Sequence, residues 1–543
     1  VSSQQWKDFA DALFRGWAAV FFSTSPVLGA VILLLVFINP WAGSTALLAS
    51  AAATLTALWL RTDPTLLKSG VLGINAVLVG LVATWYVPSH PTLLPIVALA
   101  AATTVPLTCL WINRVGWKTR LPTLTLPFLL TSWFLFLAFR PLEPATISSF
   151  YYYFNWSREM EAWVWDLLPE NVILFFRSMS WLLFQDSAVL GIASLAVLLW
   201  RSRITALMAF LGFMVGLVTF RAVYGGLEAE LPFIGMQAGF NTALIAVCLG
   251  GLFLHPTRWA YLLALAAASG GALLVGLLAR PFEAAQLPLL NGPFLAVTLG
   301  VLLLAHARRL NLPKARIIPV PLEAVSTPEA LLEWEQRSKA GDSLQLTLPF
   351  YGIWYVSQGP HGLLTHWGNS SYAWDFIVLD SHSKSCRGLG RQADDYFAFG
   401  LPVTAPAPGR IIKVRDTVPD NVPPEVNTKE RWGNYVLIDH GGGFLSELSH
   451  FQYKGIIVKE GAVVQRGQAL GFVGNSGLSM EPHLHYQLQT TPELGARTVP
   501  AKFWGYYHHN GSKPAYVTKG SPQQGEFVSN TSAPTPYSNN HHS

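Results

Sequence analysis

The chain has 543 residues, 51% of them hydrophobic and only 12% charged, about half the charged share of an ordinary soluble domain. That balance excludes a plain soluble enzyme, a disordered protein and a nucleic-acid binder, and the net charge of +5 arises from 36 basic against 31 acidic residues with no basic block. The three cysteines, Cys109, Cys248 and Cys386, are too few and too scattered for a disulfide framework or a cysteine-based zinc site.

Residues 1–307 carry 27 charged residues and the remainder 40, so the average hides a membrane part and a wetter part. The first part has apolar runs near the length of about 20 residues that a bilayer crossing needs. Spans are expected at 17–38, 41–60, 70–86, 92–113 and 121–139, then at 178–200, 203–221, 232–254, 259–280 and 286–307, with an aromatic-rich connector over 140–175. No cleavable signal peptide is expected, because Trp17 leads straight into further spans.

Five spans, a connector and five more suggest duplication. FSTSPVLG at Phe22–Gly29 matches FQDSAVLG at Phe184–Gly191 with an offset of 162. GINAVL at Gly73–Leu78 matches GFNTAL at Gly239–Leu244, and LPTLTLPF at Leu121–Phe128 matches LPLLNGPF at Leu287–Phe294, both with an offset of 166. An odd number of spans per copy inserts the second copy upside down, as in many transport proteins, whose binding sites lie near the pseudo-two-fold centre. The expected repeats are about 15–140 and 176–307. Loops bearing Arg61, Lys68, Arg114, Lys118, Arg120, Arg201, Arg203 and Arg258 share one side with both ends of this domain, which positive-inside counting makes cytoplasmic.

These repeated segments resemble the urea transporter family. The resemblance implies a bacterial cytoplasmic (inner) membrane protein of multi-pass topology, commonly assembled as a homotrimer, each protomer with a pore for urea or a similar small neutral solute. Its pore and substrate candidates here are Thr125, Asn291, Trp181, Phe22 and Phe184. The family's polar residue seven positions before the first-motif proline is replaced by Ala19 and Trp181, that proline becomes Ala188 in the second copy, and the threonine of the third motif survives as Thr125 but is Asn291 in its partner. Alanine offers no side-chain acceptor, and tryptophan at that level plugs a narrow slot. Thr125 is read equally as a pore residue or as a helix-backbone hydrogen bonder; Asn75 and Asn241 are read as interhelical glue.

Residues 308–344 form a linker with an amphipathic helix near Pro328–Lys339. From about 345 the pattern turns to period-2 alternation with glycine turns, as in GRIIKV, NYVLIDH and AVVQRGQALGFVG, which predicts an all-β domain over 345–509. The tail, 510–543, is rich in Ser, Asn, Pro, Thr and Gln, and is expected to be disordered. His483-Leu-His485 puts two imidazoles on one face of a strand. With His366, Asp375 and His450 in the same domain, the set supplies the two histidines and one carboxylate of a recurrent catalytic zinc site. His361 and His382 read as loop residues, His440 as a neighbour of the ligand shell, and Cys386 as an ordinary thiol.

The segments THWGNSSYAWDF, GNYVLIDHGGGF, LSHF, GFVGNSGLS and EPHLHYQL resemble the lysostaphin-type metallopeptidases. The resemblance implies one Zn2+ per peptidase domain held by His366, Asp375 and His485, with His483 as general base and His450 as a catalytic, oxyanion-stabilising histidine. His366 stands nine residues before Asp375, the longer of the family's gaps. The expected architecture is a polytopic all-α membrane domain of two inverted five-helix repeats, 1–307, plus a C-terminal all-β lysostaphin-like peptidase domain. The expected partners are the lipid bilayer, the small neutral solute and a peptide or peptidoglycan substrate, with no nucleic acid. Three functions follow: a bifunctional channel and endopeptidase, a non-conducting anchor for the peptidase, or a channel with a cytoplasmic regulatory β domain. Ten spans place the β domain inside the cell, whereas the peptidase resemblance favours the outside.

Overall fold

A computed structural model describes residues 3–86, 94–116, 119, 121–139, 155–227, 231, 233–306, 327–332, 336, 344–360, 362, 365–366, 368–509 and 514–530. The chain divides into two compact units, Val1–Leu332 and Glu333–Ser543. Most of the expected linker, the first part of the connector and His361 lie outside the described residues.

In the first unit, five helices among the described residues are long and apolar enough to cross a bilayer: Pro40–Trp59, Leu94–Gly116, Arg203–Tyr224, Ile234–Phe253 and Arg258–Ala284. The expected continuous spans 17–38 and 178–200 need correction. Each is two helices meeting at a corner, Ser3–Ala19 with Pro26–Val36 and Glu170–Ser180 with Ala188–Arg201. Phe22 and Phe184 sit at these corners with φ of 55° and 49°. That left-handed conformation cannot continue a right-handed helix. Each chain then restarts under a serine cap, Ser25 accepting from the Leu28 N–H and Ser187 from the Leu190 N–H. A Cβ on Gly29 would run into the Phe14 carbonyl, and one on Gly191 into the Phe176 carbonyl, so both corners close only over glycine. All five residue pairs are 162 apart.

The spans expected at 121–139 and 286–307 are also shorter than read. Helix begins only at Leu126 and Gly292 and runs for 14 and 15 residues, about 22 Å at a rise of 1.5 Å per residue and short of the hydrocarbon thickness of about 30 Å. Each follows a left-handed leucine, Leu124 (φ 48°) or Leu290 (φ 49°). The first-turn N–H groups of these half-helices need acceptors, and Asn75 and Asn241 supply them. Asn75 Oδ1 accepts from Phe128 N at 3.0 Å while its Nδ2 donates to the Leu124 carbonyl; Asn241 does the same for Phe294 N, at 2.9 Å, and Leu290. The two asparagines therefore hold turns and half-helix starts, a more specific task than general interhelical glue. The duplication seen in the sequence is repeated in the backbone.

The second unit is built on a twelve-stranded antiparallel sheet. Its strands are β1 (Trp354–Gln358), β2 (Ala373–Ile377), β3 (Pro402–Thr404), β4 (Gly409–Arg415), β5 (Asn434–Asp439), β6 (Leu445–Ile456), β7 (Val463–Val464), β8 (Ala469–Val473), β9 (Leu484–Gln489), β10 (Phe503–His509), β11 (Pro514–Gly520) and β12 (Phe527–Ser529). The order along the sheet is β11-β10-β12-β1-β2-β9-β6-β5-β4-β7, with β8 pairing both β3 and β6. Leu484, Tyr486 and Leu488 of β9 join Trp374, Phe376 and Leu448 in the core cluster. The expected disordered tail needs correction over 514–530: β11 pairs with β10 from Phe503↔Gly520 to His509↔Pro514, and β12 bridges β10 and β1. Its polar composition reflects strands at or near the sheet margin, and Val528 alone of this segment joins the buried cluster. Residues 531–543 lie outside the described residues.

Candidate functional site

The middle of the sheet carries the predicted constellation. Asp375 on β2 and His485 on β9 are direct cross-strand partners, and Ser449 on β6 faces His485 from the other side. His485 Nδ1 lies 2.8 Å from Asp375 Oδ1, and His366 Nε2 lies 3.2 Å from Asp375 Oδ2. The three ligand atoms fall within 4.8 Å of one another, and all three residues are buried. His483 stands just before β9, its Nε2 3.7 Å from Asp375 Oδ1. His450 interrupts β6: Asn434 pairs with Phe451 and Tyr435 with Ser449, which leaves His450 as the extra residue of a bulge. Its φ of 67° is left-handed, an uncommon conformation for a residue with a side chain. The bulge brings its ring to 4.7 Å from that of His483.

Hydrogen bonding fixes what these rings present. His366 Nδ1 bonds the Gly359 carbonyl (3.1 Å), His450 Nδ1 the Ser476 carbonyl (2.7 Å) and His483 Nδ1 the Glu481 carbonyl (2.8 Å). A carbonyl only accepts, so each of these nitrogens carries its proton and the opposite Nε2 of the neutral ring is a lone pair. His485 is turned the other way. Its Nε2 donates to Gln487 Oε1 at 3.2 Å, and its Nδ1, 2.8 Å from the Asp375 carboxylate, shares a proton with that group unless a metal takes the proton's place. Three potential ligand atoms, His366 Nε2, His485 Nδ1 and an Asp375 carboxylate oxygen, thus face one another in a buried space, and His366 Nε2 has no hydrogen-bond partner. Such a set can hold a cation, and two imidazoles with one carboxylate is a donor set suited to catalytic zinc.

Charge coupling runs through the same contacts. Burial pushes the Asp375 carboxyl up, but His366 and His483 outweigh it and hold the group well below its ordinary value. Burial, aided by His483 and His485, keeps His450 well below the usual imidazole range and therefore neutral. Burial also lowers His485, but Asp375 overrides it and the net shift is upward.

In the first unit, Thr125 and Asn291 occupy equivalent positions immediately before the two half-helices, and Asn291 Nδ2 donates to Thr125 Oγ1 at 2.6 Å. Trp181 is 2% exposed and belongs to a ring cluster with Phe184 (6.3 Å) and Phe240 (6.0 Å); Phe184 in turn packs on Phe128 at 5.2 Å. Phe22 lines a cavity of about 10 Å3 with Met179, Leu182, Leu198, Phe240 and Val247.

Comparison with known proteins gives each unit a relative. Residues 10–306, more than half of the chain, match the urea transporter family. The chain belongs to that family. Residues 392–496 match peptidase family M23 and form the core of a C-terminal M23 peptidase domain. Urea transporter 1 of Ovis aries is 29% identical over 335 residues, covering 59% of this chain and 82% of the sheep protein. The peptidoglycan DD-endopeptidase ShyA of Vibrio cholerae is 46% identical over 56 residues, only 10% of this chain and 13% of its own length. The catalytic domain of the antimicrobial peptidase lysostaphin from Staphylococcus simulans aligns with a TM-score of 0.19 and 22% identity over 28% of this chain and 88% of its own. The M23 match contains His450, His483 and His485 and begins after His366 and Asp375, which the β2–β9 pairing brings to the same place.

Four residues that support the candidate site, Gln358, Glu447, Gln487 and Gln489, were missed in the sequence. Gln358 on β1 donates to Asp375 Oδ2 (2.8 Å) and pins Thr365, next to His366, through its side chain. Gln487 Nε2 donates to Glu447 Oε2 (3.0 Å) and Gln489 Oε1 (2.8 Å), while Gln489 Nε2 donates to the Thr491 and Glu493 carbonyls. These bonds fix the direction of each amide, so Gln487 has only its Oε1 to offer His485. The available signal was a run of polar residues two apart, 485, 487 and 489, on one strand. His440 bonds the Pro408 carbonyl and the Ser446 hydroxyl, Cys386 is a free thiol, and His382 lies on an exposed loop.

Proposed function

We propose that the chain is a membrane-anchored zinc endopeptidase acting on peptidoglycan-type peptides, carried by a urea-transporter domain that is a pathway for urea or another small neutral solute. The observation that supports the enzymatic part is the convergence of His366 Nε2, His485 Nδ1 and the Asp375 carboxylate, three atoms that one metal cation would bind together. His366, Asp375 and His485 would hold one zinc per peptidase domain. When bound, zinc supplies a Lewis acid and makes water a nucleophile at neutral pH. His483, its Nδ1 proton tied to Glu481, takes a proton at Nε2 as general base. His450, tied to Ser476 through Nδ1 and with its ring 4.7 Å from that of His483, would receive at Nε2 the proton that His483 takes from the water and donate it to the developing oxyanion. Gln358 orients the carboxylate, and Gln487 orients His485.

The resemblance further favours a multi-pass protein of the bacterial inner membrane assembled as a homotrimer. Peptidoglycan lies outside that membrane, so this reading requires the M23 domain on the outer face, against the positive-inside count. A second reading, a non-conducting anchor, is favoured by the ring cluster around Trp181 and by a cavity no larger than about one water.

The test uses the full chain, stripped with chelator and retitrated. One zinc per chain is expected, with cleavage of cross-linked muropeptides on chromatography, and both should vanish in His485→Ala. Zinc retained by that variant overturns the ligand assignment. A cysteine introduced at Asn530 should react with an impermeant maleimide in intact cells; labelling only after lysis overturns the peptidoglycan substrate.

A further inference from the structure

Thr125 and Asn291 are equivalent residues of the two repeats, and their side chains touch. Two equivalent points related by a two-fold operation can meet only across its axis, so this contact straddles the pseudo-two-fold axis. It also lies at the starts of the two half-helices, where inverted-repeat transport proteins place their solute.

Both residues stand at N-cap positions, their carbonyls accepting from Leu129 N and Leu295 N. Thr and Asn at such positions ordinarily turn their side chains back onto the first helical turn. Here Asn75 and Asn241 satisfy Phe128 N and Phe294 N instead, which frees Thr125 and Asn291 to face each other. The asparagine is 2% exposed, and its Oδ1 has no hydrogen-bond partner. Whichever end of the amide faces Thr125, the other end is left over. A carboxamide is one half of urea: an NH2 donor and a carbonyl acceptor on one planar carbon. It holds Thr125 as a urea NH2 would.

We propose that the Asn291 carboxamide is a built-in occupant of the solute position on the pseudo-two-fold axis and keeps the pathway closed to urea-sized amides. This rests on the second reading above, in which the repeats keep the layout of a solute pathway that does not conduct. It assigns the closure to one contact between the repeats rather than to general decay of the pore. Trp181 and Phe184 are then a wall beside the position, and the position itself is filled from within the chain.

The experiment is stopped-flow urea flux into proteoliposomes holding the full chain. Wild type should match empty vesicles. Asn291→Thr, which restores a hydroxyl in both repeats, and Thr125→Val, which keeps the volume but removes the hydroxyl, should each raise flux by about tenfold or more, the population change that loss of one hydrogen bond brings. Unchanged thermal melting in detergent shows that both variants fold. Urea flux through wild type overturns the proposal. If the folded variants stay silent, the double variant Asn291→Ala/Trp181→Ala separates the failures. Flux in it places the barrier at Trp181 and overturns the Asn291 lock while the pathway stands; silence in it removes the pathway reading as well.

Discussion

Replacing Gln487 with leucine tests whether hydrogen-bond direction in the M23 domain sets zinc affinity. Gln487 is fully buried and spends its Nε2 on Glu447 and Gln489, so its Oε1 accepts from His485 Nε2–H and leaves Nδ1 as the nitrogen a metal would claim. Leucine is of similar size but takes that acceptor away. The imidazole is then free to move its proton to Nδ1, where Asp375 Oδ1 waits 2.8 Å away, and that proton competes with the metal. Loss of a group supporting a metal-ligating histidine typically lowers affinity by about 10- to 100-fold, or about 1.4–2.7 kcal/mol. Burial pushes the Glu447 carboxyl up, so the carboxyl stranded by the substitution tends towards its neutral form and adds little of its own. Competition of the full chain against a chromogenic zinc chelator at neutral pH measures the loss directly. Gln487→Glu, which keeps an acceptor for His485, should recover most of it. A Gln487→Leu protein that binds zinc as wild type does, or a Gln487→Glu protein as weak as the leucine variant, would show that the amide strip does not orient the ligand.

Two further outcomes concern stability. Burial holds His440 below its ordinary value of about 6.5, so its contribution is present above that pH and is lost as pH falls through the folded-state value. His440→Asn should flatten the fall in M23-domain unfolding midpoint between neutral and mildly acid pH; an unchanged slope in a denaturant series refutes the assignment. In the urea-transporter domain, Arg177 forks onto Asp186 with bonds of 2.5 and 2.7 Å, and the Asp186 side chain is 2% exposed. Arg177→Ala leaves that carboxylate buried without its counter-charge, at a cost of about 3–5 kcal/mol. A melting temperature in detergent equal to that of wild type would contradict this.

Hydropathy and self-similarity made the two-copy membrane plan legible, because they count apolar residues and register. They are blind to where the backbone turns left-handed. Nothing in the apolar character of Phe22, Phe184, Leu124 or Leu290 announces φ near 50°, so two corners and two half-helices were read as continuous spans. The metal set was legible because His483, His485 and Asp375 are rare residue types within strand patterns. Its supporting amides were not. Alternation along LHYQLQ looks like a strand with one wet face, whereas every residue of β9 is buried. Similarly, β11 and β12 were lost to a compositional reading, since an edge strand such as β11 and a three-residue strand such as β12 need few apolar side chains to stay paired.

The two faces of β9 make the metal centre a check on folding. Its apolar residues, Leu484, Tyr486 and Leu488, share the core with Leu448, while Gln487 meets Glu447 on the opposite face, and His485 takes its place in that polar row. A slip of one residue would exchange the rows, sending leucines towards Asp375 and imidazole into the core. Only the correct pairing assembles a chelate, so bound metal adds its binding free energy to that register and to none of its neighbours. An ion bound there would thereby proofread strand alignment in a sheet whose central strand, polar on one side and apolar on the other, has no solvent-facing side to tell the two apart.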